Sequence, residues 1–207
     1  MLKIKKLVLY IPLVPIGIIL VVLLIPFIAP IKVYNTIAGV YLEVHETYAI
    51  AVDYTKERIE IPSYSLLRPV TKTLTVGVRN KGQKIVEEIE IPDSITEIDV
   101  SSFSGYKKLK KIEGGKNIRI IGESAFVSDN ALGEIPYFEE LEEIGNDAFC
   151  GCNLSYLWLS DTVKKIGDEA FSYNDIKELD ADLNNVELGS LVFGDNPFEK
   201  NMGEFAI

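Results

Sequence analysis

Ile144-Gly145-Asn146-Asp147-Ala148-Phe149-Cys150-Gly151-Cys152 and, 22 residues further on, Ile166-Gly167-Asp168-Glu169-Ala170-Phe171 are two copies of one phrase, and their recurrence decides the fold. Working outward, the same phrase is anchored by Phe103, Phe126, Phe149, Phe171 and Phe193, spaced by 23, 23, 22 and 22 residues. Five residues before each Phe stands an aliphatic, Ile98, Ile121, Ile144, Ile166 and Leu188, and in the last four copies a Gly follows it at once (Gly122, Gly145, Gly167, Gly189). A second aliphatic pair, three positions apart, comes after the Phe: Leu109/Ile112, Leu132/Ile135, Leu154/Leu157 and Ile176/Leu179. The copies share a whole register.

A period of 20 to 29 residues with Leu or Ile at fixed offsets implies a stacked solenoid, because one unit of that length cannot bury its own apolar face. Each Phe and its aliphatics are expected to point into an interior that the next coil covers, so that truncating one Phe to Ala costs about 3–5 kcal/mol. Two residues before the first aliphatic of each pair come Asn130, Cys152, Asn174 and Asn196, at intervals of 22. This is the Asn/Cys position of a leucine-rich repeat, where a short polar side chain bonds turn amides that stacking would bury unpaired. Lys107 breaks the ladder in the first copy.

With Ile91-Pro92-Asp93-Ser94-Ile95-Thr96-Glu97-Ile98, these phrases resemble the BspA-type leucine-rich repeats of microbial surface proteins over about residues 85 to 200. The resemblance implies a cell-surface binding or adhesion module and nothing enzymatic. Three features depart from the pattern: Ser102 and Val192 in place of Ala before Phe, and Gly114-Gly115 inside the second copy.

Ahead of the repeats the chain opens Met1-Leu2-Lys3-Ile4-Lys5-Lys6 and then runs from Leu7 to Ile31 without a charge. As a helix those 25 residues would reach about 37 Å, more than the roughly 30 Å of bilayer hydrocarbon. Prolines 12, 15, 26 and 30 would kink it, which membrane helices tolerate. The three lysines favour an N-terminus in the cytoplasm and the repeats outside. A cleaved secretory signal is the alternative, although its apolar region normally runs only about 7–15 residues. The expected architecture is mainly β: a basic cytoplasmic 1–6, a transmembrane signal-anchor over 7–31, an extracellular β cap over 32–85, and a solenoid of about five coils over 86–207.

Within the expected cap, apolar residues alternate at Tyr48, Ile50, Val52 and Tyr54 and again at Leu74, Val76 and Val78, which reads as strands. Ile59-Glu60-Ile61-Pro62 echoes Ile89-Glu90-Ile91-Pro92, so a degenerate extra coil is compatible with the pattern. A first coil has no neighbour on one side, and the segment is read as its cover. A separate small β domain is the other reading.

All 31 acidic residues but only 18 of the 21 basic ones follow the apolar run, a net charge of −13. That field disfavours nucleic acid and anionic lipid and favours basic partners. In each repeat strand the residues flanking the second aliphatic point outward. These are Glu88 and Glu90, Lys111 and Glu113, Glu134 and Pro136, Tyr156 and Trp158, then Glu178 and Asp180. The face is acidic, with one aromatic pair that includes the only Trp. Exposed Trp and Tyr dominate binding energy at interfaces. Tyr156, Trp158, Glu134, Glu178 and Asp180 are therefore the candidate binding residues, for a protein or glycan on a cell surface or a neighbouring membrane protein. The competing reading is that the aromatics only pack across the strands.

No cofactor is expected. Cys150 and Cys152 alone cannot complete a zinc site, and His45, the one His, lies far away in sequence. They read as free or structural thiols, with a Cys150–Cys152 disulfide as the alternative. No nucleophile elbow, phosphate loop, dinucleotide glycine pattern or metal-spaced His pair is present, so the chain does not read as an enzyme.

Overall fold

A computed structural model describes residues 8–10, 31–35, 40–44, 49–54, 56–65, 68–73 and 82–198. Before the Phe-bearing coils come β1 (Val8–Tyr10), β2 (Ile31–Asn35), β3 (Val40–Val44), β4 (Ala49–Tyr54), β5 (Arg58–Glu60), β6 (Tyr64–Ser65), β7 (Arg68–Thr73) and the single helical turn α1 (Gly82–Ile85). The coils then carry β8 (Glu88–Ile91), β9 (Glu97–Ile98), β10 (Lys111–Gly114), β11 (Ile120–Ile121), β12 (Glu143–Ile144), β13 (Tyr156–Trp158), β14 (Lys165–Ile166), β15 (Glu178–Asp180) and β16 (Glu187–Leu188).

Two parallel ladders run along the array, one on each side of the core. In the first, β7, β9, β11, β12, β14 and β16 pair in sequence, placing Thr73, Ile98, Ile121, Ile144, Ile166 and Leu188 in one row. In the second, β5, β8 and β10 align Ile59, Ile89 and Ile112, while β13 and β15 align Leu157 and Leu179. The echo between residues 59–62 and 89–92 is thus a true register: Ile59 is a buried rung beside Ile89. Between β10 and β13 the second ladder is interrupted at Glu134-Ile135-Pro136, where Pro136 has no N–H to donate.

The first ladder continues toward the N-terminus without a break. β4 lies parallel to β7, β2, β3 and β4 follow as antiparallel neighbours, and β1 pairs parallel with β2. The described strands before the repeats therefore extend the solenoid's own sheet. The alternating run 74–78 and His45 lie outside the described residues. So do residues 11–30, most of the expected membrane helix. At its start, Val8–Tyr10 is extended and not helical, because its backbone pairs with β2. Among the described residues no helix is long and apolar enough to cross a membrane.

All five Phe side chains are buried and form one column. Successive ring centroids are 5.3, 5.1, 5.5 and 5.8 Å apart and within 16° of parallel. Tyr106 closes one end edge-on and Phe198 the other. Each coil's turn is tied to the next by backbone bonds: the N–H groups of Phe103, Phe126, Phe149 and Phe171 donate to Ala125, Ala148, Ala170 and Val192, all at 2.8 Å. The column is consequently held in register by hydrogen bonds on the turn side as well as by the two ladders. In the last coil Leu188 and Leu191 are 40% and 55% exposed.

The rung of the coils differs from its sequence expectation in two places. Asn174 Oδ1 accepts from the N–H groups of Cys152 and Leu154, and its amide nitrogen donates to the carbonyls of Phe149, Phe171 and Ser172. Asn196 repeats the pattern one coil later. In the second Phe-bearing coil, however, the rung is Asp129, which is buried, while Asn130 is exposed. Likewise Tyr106, not Lys107, occupies the position in the first. Every rung lies three residues after its Phe. The extra residue of the longer coils falls between the rung and the following aliphatic, so counting back from Leu132 lands one residue late.

Candidate recognition face

Strand alternation builds the face. In β13, Leu157 is fully buried and its neighbours Tyr156 and Trp158 point outward, 41% and 51% exposed. In β15, Glu178 and Asp180 do the same on either side of Leu179. The parallel register sets Tyr156 beside Glu178 and Trp158 beside Asp180. Loss of water contact, and then the carboxylates of Asp180 and Glu178, hold the Tyr156 phenol above its ordinary pKa, so it remains a neutral donor.

Tyr137 joins this pair, and sequence reasoning missed it. Alternation from Ile135 would turn Tyr137 inward, yet it is 41% exposed, with its ring 4.6 Å from that of Trp158 and tilted by 33°. Pro136 is the signal. With the strand broken there, Phe138 takes the inward place and packs beside Gly115. Gly114 is required in that coil, since its φ is +76° and a Cβ would stand 2.2 Å from the Ile91 carbonyl oxygen. Glu134 is exposed, but it sits on the interrupted coil and not on a strand.

Charge divides the face into two halves. Toward the N-terminus, Arg58 reaches Glu88 at 2.9 Å and Glu113 at 3.7 Å, and Lys111 reaches Glu113 at 2.7 Å, so two of the acids there have basic partners, while Glu60 and Glu90 form no ion pair with a described cation. Glu134, Glu178 and Asp180 form no ion pair with any described cation; the nearby Lys177 reaches Asp175 instead. The aromatics therefore lie among uncompensated carboxylates. On the other side of the coil a shallow groove is lined by Thr96, Glu97, Arg119, Ile120, Glu142 and Glu143. There Glu142 binds both Lys164 and Arg119, which hold its carboxyl below the usual range, and Glu97 pairs with Lys72.

Both cysteines are free thiols. Burial pushes the Cys152 thiol well above its ordinary pKa, and its sulfur donates to the Phe126 carbonyl at 3.0 Å, the role of a rung. Among the described residues no group of three or more His, Cys, Asp or Glu is placed to hold a metal ion.

The BspA type leucine rich repeat region matches residues 81–198 in six copies. No curated protein matches the chain in sequence. Among solved structures it is similar to a leucine-rich repeat protein from Bacteroides ovatus, with 21% identity and a TM-score of 0.59 over 79% of this chain and 43% of that one. It also resembles the leucine rich repeat protein of T. pallidum (19%, TM-score 0.57, 75% and 85% of the two chains). A third is a leucine rich cell surface protein of Faecalibacterium prausnitzii (20%, TM-score 0.57, 84% and 56%). The chain thus spans less than half the length of the Bacteroides ovatus protein, and the likeness at these identities is one of fold. None of these comparisons indicates an enzyme family. Its repeats cover more than half of its length in a register that ladders, Phe column and polar rungs all share, and the chain belongs to the BspA-type leucine-rich repeat family.

Proposed function

We propose that this chain is a recognition module whose repeats stand outside the cell and that it binds a protein or glycan through the face around Tyr156 and Trp158. The observation that carries the reading is the outward cluster of Tyr137, Tyr156 and Trp158 on a rigid strand-bearing scaffold. Aromatics of this kind supply large contact area at low entropic cost. The description of the similar Faecalibacterium protein as a cell surface protein supports the placement outside.

Two experiments test it. Membrane-impermeant labelling of intact cells should modify the repeats, and lack of labelling until lysis would contradict the orientation. Crosslinking capture by the full chain from such cells should disappear in Tyr156→Ala/Trp158→Ala while the melting temperature moves little. A large loss of stability would make the pair structural. One observation favours a second reading, a spacer within an assembly: Leu188 and Leu191 stand exposed at the end of the array. Oligomers that Leu191→Asp dissolves, together with no captured partner, would decide for it.

A further inference from the structure

Recognition through this face, on which the inference rests, leaves the chemistry of the ligand open. The face combines two features that call for the same partner. Tyr137, Tyr156 and Trp158 expose ring surface, and the negative face of an aromatic ring attracts cations within about 6 Å of its centroid. Asp180 lies in register beside Trp158, and Glu178 beside Tyr156. Adjacent strands are about 4.8 Å apart, so a cation seated over a ring is within Coulombic reach of a carboxylate.

The remaining half of the same face supplies the comparison. There the outward positions of β8 and β10 carry Glu88, Glu90, Lys111 and Glu113, and of these acids the chain neutralises Glu88 and Glu113 itself, with Arg58 and Lys111. The half that carries the aromatics has no described basic side chain in that role. We infer that the Tyr137–Tyr156–Trp158 face docks an Arg- or Lys-bearing segment of a protein partner, the cationic side chain lying over Trp158 and Tyr156 and pairing with Asp180 and Glu178. The cation would supply from outside the charge that Arg58 and Lys111 supply on the other half. Arg fits best, because its planar guanidinium stacks on a ring and bonds a carboxylate at once. Ring stacking with a sugar would use the aromatics equally well but gives no account of the uncompensated carboxylates.

The test uses the full chain in mild detergent and fluorescence anisotropy of a labelled peptide of four Gly-Ser-Arg units. A matched peptide of four Gly-Ser-Glu units and a soluble oligosaccharide, chitohexaose, serve as the other probes. Expected results are binding of the Arg peptide alone and weakening by about tenfold or more in Trp158→Ala. A similar loss is expected in Glu178→Gln/Asp180→Asn, whose side chains keep their shape, so this arm survives if the Trp variant misfolds. Glu139→Gln/Glu140→Gln, an equal charge change in a turn outside β13 and β15, should leave binding within about twofold, since exposed charges distant from the contact are screened.

Absence of Arg-peptide binding, or binding that the face substitutions leave unchanged, overturns the inference. Chitohexaose binding lost in Trp158→Ala but kept in Glu178→Gln/Asp180→Asn also overturns it while leaving the recognition reading in place. The recognition reading itself is tested separately, by capture from cells, and fails if that capture is absent or insensitive to Tyr156→Ala/Trp158→Ala.

Discussion

Asp129 shows how much one side chain can alter a repeated scheme. At its rung the next coil holds Cys152, and the last two hold Asn174 and Asn196, which both accept from and donate to the backbone. Asp129 Oδ1 accepts from the Tyr106 N–H at 2.6 Å, but its second oxygen is buried without a partner. Burial pushes the carboxyl from 3.8 up to about 9. A protonated carboxyl offers one O–H where Asn offers two N–H groups. The folded chain therefore keeps a proton that the unfolded chain releases once pH exceeds its ordinary value. The stabilising contribution is complete below about pH 4 and is lost as pH rises toward about 9, by up to about 1.4 kcal/mol per unit. Asp129→Asn should stabilise the fold at neutral pH by about 1–3 kcal/mol and flatten this alkaline decline. Urea unfolding of both proteins at about pH 5 and about pH 8 measures it. An unchanged pH dependence would show that Asp129 is ionised in the fold.

The same residue marks what sequence could and could not supply. The Phe and Ile positions were legible because each coil needs one large apolar group at a fixed offset. The rung was misplaced by one because the coil length varies on the far side of the rung, and only the Phe offset stays constant. Phe149→Ala removes a ring stacked on both sides and should cost about 3–5 kcal/mol in chemical denaturation. A loss below about 1 kcal/mol would mean that neighbouring coils collapse into the space.

Among the elements, the two-residue strands of the first ladder owe their spacing to glycine. At Gly145 the φ angle is ordinary, but a Cβ would stand 2.5 Å from the Glu123 nitrogen of the preceding coil, and Gly122, Gly167 and Gly189 meet similar backbone at 2.6 Å or less. Sequence displayed the glycine row without its cause, because closeness between coils is a property of stacking. Gly145→Ala should part the backbones of two coils and destabilise by about 1–3 kcal/mol in thermal unfolding, even though Ala is otherwise tolerated in short strands. No change would place slack between coils where the geometry has contact. The second ladder carries the converse lesson. Pro136 was visible, but its result, a broken strand that turns Tyr137 outward beside Trp158, depends on Phe138 taking the vacated interior.

For the molecule as a whole, repetition made the architecture readable over 86–198, while the segment before it yielded only strands and one echo. That echo proved to be a shared rung because a parallel ladder needs only matched short stretches, whatever loop lies between. The candidate face was partly legible: alternation gave Tyr156, Trp158, Glu178 and Asp180, whereas Tyr137 and the ion pairs of Arg58 and Lys111 required three dimensions. Stacking of every coil on the next is the proposition from which core, face and function derive. Its most direct measure is amide hydrogen exchange at Phe103, Phe126, Phe149 and Phe171, which lie in turns and would exchange freely in isolated loops. Each N–H is bonded to the following coil, so all four should be protected to the same extent as the amides of β11 and β12. Exchange at the rate of open loop amides at any of the inner three would contradict the stack.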